Sequence, residues 1–142
     1  MARGGISHDG IGKLIVTYEA DDTLKAAVLA AGGSKTADGK AVAEKKAVTR
    51  VAGDYKAGFG SAGDPLLGIV ETYDGDDMMS VVVRGYELAT GVSGSLPDVG
   101  DILVVDGNGA VTASAGAVGT ARADAVFATA TDGTGPVMVF IG

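Results

Sequence analysis

Apolar positions fall in short bursts along this 142-residue chain, and glycine and acidic turns separate the bursts. Lys13-Leu14-Ile15-Val16-Thr17-Tyr18-Glu19 is apolar and β-branched, which predicts a strand. From Asp21 the period changes. Leu24, Ala27, Val28 and Ala31 stand at i, i+3, i+4 and i+7, with acids before them and Gly32-Gly33 after, which favours one short helix over residues 22–31. The rival is an extended segment in which Lys25–Leu29 pairs as a strand. Gly32 to Asp38 reads as a loop.

Short strands then resume. Gly39–Ala43 is expected to rise into a strand, Glu44-Lys45-Lys46 to turn, and Ala47–Val51 to return. A glycine-rich connection from Gly53 to Pro65 leads to Leu66–Tyr73. Asp74-Gly75-Asp76-Asp77 reads as a hairpin turn, because Asp-Gly supplies the positive φ that such turns need. Met78–Gly85 is the partner strand, and Tyr86–Leu96 is a bridge, extended at Tyr86-Glu87-Leu88.

From Gly100 the same grammar returns. Gly-Asp precedes an apolar run, Asp106-Gly107-Asn108-Gly109 turns, Val111-Thr112 runs back, Gly119 stands alone, and Val137–Gly142 closes. Residues 39–85 and 100–142 therefore read as two copies, each of two hairpins. Either alone would leave an apolar face in water, so the two are expected to pack around one core. The predicted fold is mainly β: a small antiparallel barrel or sandwich built from two hairpin-rich repeats. Residues 1–20 form an extended N-terminal arm with the first strand, and 21–142 form one β domain.

Composition narrows the function. Four tyrosines, three phenylalanines and no tryptophan imply a thin, β-branched core. Twenty-four glycines, more than twice the usual share, fit many tight turns. A net charge of −7 disfavours nucleic acid and anionic membrane surfaces as partners. With no cysteine there is neither disulfide nor thiolate chemistry. The first twelve residues lack the apolar stretch of a signal peptide, and no apolar run approaches a membrane span, so a soluble product made without Sec-type export is expected.

Candidate chemistry is sparse. Gly58-Phe59-Gly60-Ser61-Ala62-Gly63 matches G-x-G-x-x-G, but Asp64-Pro65 and a β-branched run follow it where a dinucleotide loop would open a helix. His8 beside Asp9 lies in a glycine-rich stretch that offers no packing to hold a catalytic imidazole. The acidic turn at Asp74–Asp77, and equally Asp106 or Asp132, offers carboxylates to a cation, yet turn chemistry alone explains these residues. Paired carboxylates for glycoside hydrolysis lack an aromatic platform for the sugar. Lys40, Lys45, Lys46 and Arg50 form the one basic cluster and read first as a solvated face. No catalytic, cofactor or metal residue is assigned, and no enzyme is expected.

The second copy, with Gly100-Asp101, the Asp106–Gly109 turn, Val111-Thr112 and the closing Val137–Gly142, resembles the small capsid decoration proteins of tailed bacteriophages. Leu67–Glu71 and Val81–Gly85 carry the likeness into the first copy, so it covers residues 39–142. What the resemblance implies is a structural virion protein, assembled in the host cytoplasm, that sits on the outer capsid surface. Such a protein gathers as a homotrimer and bridges subunits of the major capsid protein. In that family an N-terminal arm often adds a strand to the shell, which would assign Ile11, Leu14, Ile15, Val16, Thr17 and Tyr18 to capsid contact. Tyr55, Phe59 and Tyr86, in the two long connections, would serve self-association. The alternative is a tail or fibre module that binds a receptor or glycan, which calls for exposed aromatics gathered at one end.

Overall fold

The computed structural model describes residues 13–92, 95–115, 121–126 and 136–141. Strands β1 (Leu14–Ala20), β2 (Ala47–Arg50), β3 (Lys56–Gly58), β4 (Gly68–Tyr73) and β5 (Met78–Thr90) close a five-stranded barrel. The order is β1-β3-β2-β4-β5, with β5 returning to β1. Every neighbouring pair is antiparallel except β1 and β3, which run parallel. The fold is mainly β, with a small and mostly antiparallel barrel as the apolar pattern predicts.

Period-2 alternation sets the inside of the barrel. Tyr18 and Ala20 of β1, Val48 of β2, Ala57 of β3, Val70 and Tyr73 of β4, and Met79 and Val81 of β5 are all buried in one cluster. Helix α1 (Asp22–Ala30) adds Leu24 and Val28 to that cluster. Its start is fixed by Asp21, whose Oδ1 accepts a hydrogen bond from the Leu24 N–H at 2.8 Å, an N-cap that satisfies an otherwise orphaned donor. Residues 22–31 thus take the helical alternative and not the strand.

Residues 39–43 do not form the expected strand. Helix α2 (Ala37–Ala41) stands there, capped by Thr36, whose Oγ1 accepts from the Gly39 N–H at 3.0 Å. Asp38 in its first turn suits the helix dipole. Strand β3 was also not expected; it lies inside the supposed Gly53–Pro65 connection.

The expected end of β5 at Gly85 is likewise corrected. The strand runs thirteen residues, and Gly85, at φ +107°, marks where it leaves the barrel for a second sheet. There it pairs with β9 (Pro136–Ile141), which pairs with β8 (Ala121–Val126). A hairpin of β6 (Leu103–Val105) and β7 (Val111–Ala113) packs between that sheet and the barrel wall. Leu103, Val105, Val111, Val137, Val139 and Ile141 meet Ala47 and Ile69 in a second buried cluster. Asp106 holds the hairpin turn, accepting from Asn108 N–H at 2.7 Å and Ala110 N–H at 2.9 Å.

The two-copy scheme is therefore only partly realised. β4–β5 and β8–β9 are both antiparallel pairs, but β6 corresponds to a helix in the first half. β2 pairs with β3 and β4, not with a strand at 39–43. The turn expected at Asp132-Gly133 and the lone Gly119 lie outside the described residues. Among those described, no helix is long and apolar enough to cross a membrane.

Candidate interaction surfaces

Two surfaces stand out. The first follows from unequal strand lengths. β1 has seven residues and β3 only three, so their parallel pairing is confined to Glu19–Lys56 and Ala20–Ala57. Upstream of that seam the chain turns back through Gly53 to Tyr55, and among the described residues no strand pairs with β1 on this side. Along β1 the main-chain groups alternate in direction. Ala20 donates to Asp77 O on the β5 side at 3.0 Å, whereas Glu19 donates to Tyr55 O at 2.7 Å on the other. By that alternation Ile15 and Thr17 turn their N–H and C=O away from β5, toward the open side.

The gap is a cleft of about 430 Å³ lined by Val16, Tyr18, Arg50, Tyr55 and Lys56 among others. Tyr55 stands at its mouth, 69% exposed, in a left-handed backbone conformation at φ +50°. A bulky residue seldom sits there, and the conformation costs on the order of 1 kcal/mol. Its ring lies 5.9 Å from that of Tyr18. Arg50 places its guanidinium carbon 6.0 Å from the Tyr18 ring centre, at the outer limit of a cation–π contact.

The second surface is the outer face of the β5–β9 pair. Glu87 and Ala89 turn inward, so Tyr86 and Leu88 turn out beside their cross-strand partners Phe140 and Met138. Leu88 is 42% exposed and Phe140 37%. The Tyr86 and Phe140 rings are 4.9 Å apart, a favourable tilted pair.

The residues assigned from the sequence distribute unevenly over these surfaces. Leu14, Ile15 and Thr17 are exposed on β1, Val16 is half-buried in the cleft, and Tyr18 is buried. Ile11 lies outside the described residues, as do most of the arm and His8. The part of the arm that is described, Leu14 onward, is a wall of the barrel and not a free strand. Tyr55, Phe59 and Tyr86 are not brought together: Tyr55 stacks with Tyr18, Phe59 packs against the barrel core, and Tyr86 pairs with Phe140. Arg50, Leu88, Met138 and Phe140 were not singled out for either role. Continued alternation through Tyr86-Glu87-Leu88 was the available signal for Leu88.

The other candidates resolve as structure. Gly58–Gly63 leads into a bridge between Pro65 and Val104, with Gly63 N–H donating to Val105 O at 2.9 Å. At the acidic turn, Tyr73 donates its hydroxyl hydrogen to Asp77 Oδ1 at 2.7 Å. Burial, and then that bond, hold the Tyr73 phenol above its ordinary range. Among the described residues no group of three or more acidic or histidine side chains is placed to hold a metal. The basic cluster disperses: Lys40 is on α2, Lys45 reaches Glu87, Lys46 packs by Gly109, and Arg50 borders the cleft.

No known family model matches the chain, and no curated protein matches it as a relative.

Proposed function

We propose that this is a non-enzymatic structural protein of a virion, which binds the outside of a phage capsid and bridges its shell subunits. The observation that carries the reading is a pair of exposed apolar surfaces on one closed β scaffold. Leu14 and Ile15 project from β1, and Leu88 and Phe140 from the β5–β9 face. A bridge needs two contact surfaces on a stiff body, and many copies on a lattice gain by avidity, so each contact can be modest. In this reading β1 and its cleft face the major capsid protein, and the Tyr86–Phe140 face meets further copies of the chain in a homotrimer.

The rival, a fibre module that grips a glycan, calls for aromatics at one end. Tyr55 and Phe59 flank β3, Tyr73 ends β4 and is buried, and Tyr86 lies on β5 beyond the barrel, so the four form no single cluster, which favours the capsid reading. The test is to titrate the purified protein onto capsids that lack it. Binding should saturate at a fixed copy number per shell and raise the shell's melting temperature. Binding to host cells with none to heads would sink the reading.

A further inference from the structure

We infer that the open seam beside β1 is a strand-acceptor site, built for an extended peptide segment that carries a carboxylate. Two observations define the strand-acceptor half. Ile15 and Thr17 offer two N–H and two C=O groups on one side of β1, spaced as a ladder, with no strand opposite them among the described residues. Close to this edge is a cleft of about 430 Å³, lined by the neighbouring β1 residues Val16 and Tyr18 and by the Gly53–Lys56 turn. An added strand lies roughly 4.8 Å from its neighbour, which fits the spacing of the interrupted sheet.

Charge defines the other half. The chain carries 18 acidic and 11 basic residues, yet this cleft is lined by two cations, Arg50 and Lys56, against one carboxylate, Asp54. Arg50 forms no ion pair among the described residues. Asp54 lines the same cleft without pairing to it. The planar guanidinium is instead held beside the Tyr18 ring, a posture that leaves its N–H fork available to an incoming carboxylate. Tyr55, kept at φ +50° with its ring exposed, supplies an aromatic wall at the mouth. The proposal stands on the cleft and not on the capsid reading, and the two tests fail separately.

The experiment is an NMR titration of the full-length protein with the capped peptide Val-Thr-Asp-Thr-Val-Thr, taken to millimolar concentration. Its valines and aspartate share one face, as strand alternation requires. Amide shifts are expected at Ile15, Thr17, Arg50 and Tyr55. The Asp-to-Asn peptide should bind roughly fivefold or more weakly, because it loses a charge-assisted bond. Arg50→Gln, at an exposed site, should abolish the difference between the two peptides. A peptide N-methylated at every residue should not bind, because no N–H is left to pair with β1.

Absence of shifts at Ile15 and Thr17 would overturn the proposal. Binding that survives N-methylation would overturn strand addition, and equal binding of the Asp and Asn peptides would overturn the role of Arg50. If the Ile15 and Thr17 amides move with protein concentration alone, a second copy occupies the edge. If they are already protected from solvent exchange, the chain's own segment does. Either result refutes a site for an external peptide.

Discussion

Leu24 is the side chain through which α1 enters the barrel core, and removing it tests whether the helix is a structural plug. Leu24 is 1% exposed, whereas Leu29, on the same helix, is 75% exposed. Replacing either with alanine leaves helix propensity nearly unchanged, so the difference between the two variants isolates packing. Leu24→Ala deletes three buried carbon atoms and leaves a cavity against Tyr73, Met79 and their neighbours, at a cost of about 3 kcal/mol within the usual 2–5. For a chain of this size that lowers Tm by roughly 6–12 °C. Leu29→Ala should change stability by less than about 0.5 kcal/mol. The assay is urea unfolding followed by far-ultraviolet circular dichroism, since there is no tryptophan to report. Equal losses for the two variants, or a Leu24→Ala loss below about 1 kcal/mol, would refute the view that α1 completes the core.

Three other perturbations probe the wall of the barrel. A Cβ on Gly68 would lie 2.1 Å from the Val82 carbonyl oxygen, a backbone atom, so Gly68→Ala should cost roughly 1–3 kcal/mol in urea titration; a neutral result would contradict the β4–β5 register. Tyr73→Phe should cost about 1 kcal/mol through the lost bond to Asp77. With its phenol pKa raised in the folded state, Tyr73 contributes full stability below the ordinary value of 10.0 and loses it as pH rises above that, so a near-ultraviolet titration should run one tyrosine short until the barrel unfolds. Glu19 is held below its ordinary range, first by the hydrogen bond from Lys25 and then by its charge. Its contribution is present above about pH 4.3 and fades as pH falls through the lower folded value, so Glu19→Gln should flatten stability between pH 3 and 5, with salt reducing the effect in the parent protein.

Most of the barrel was legible because its strands are β-branched and alternate, and because the acidic turn marked the β4–β5 connection, although its positive φ falls on Asp77 (+63°) and not on Gly75 as expected. The helix over 22–31 was legible from Leu24 and Val28 with Asp21 before them. Three features were not. Residues 39–43 carry one valine among two alanines, a lysine and a glycine, a composition that specifies neither strand nor helix. What decides them is the Thr36 cap and the approach of Gly39 to the Gly33 carbonyl, where a Cβ would lie 1.8 Å away. Lys56-Ala57-Gly58 has no β-branched residue and is three residues long, so β3 owes its conformation to pairing with β1 and β2. The cleft follows from that same brevity, and strand length mismatch across a sheet is invisible to local pattern. The assignment of Leu14–Tyr18 to a contact found the right strand but treated it as an arm, because sequence shows that a strand exists and not which neighbours it already has.

β5 shows why the chain's apparent halves misled. A glycine in a strand pattern usually marks an end or a bulge, so the pattern ends the strand at Gly85 and leaves Tyr86-Glu87-Leu88 as an extended part of a bridge. In the fold Glu87 points inward and is 9% exposed, a position that a carboxylate tolerates only when its charge is met. Lys13 approaches it at 3.3 Å and Lys45 at 4.0 Å, while the Leu88 N–H donates to its Oε1 at 3.0 Å. Lys13 is 74 positions distant in sequence, so no window along the chain would contain the pair. These ion pairs fasten the start of β1 and the turn before β2 to the strand that joins the barrel to the second sheet. Glu87 lies in sequence in the bridge between the two apparent repeats, and in the fold that bridge is a strand tied to the barrel.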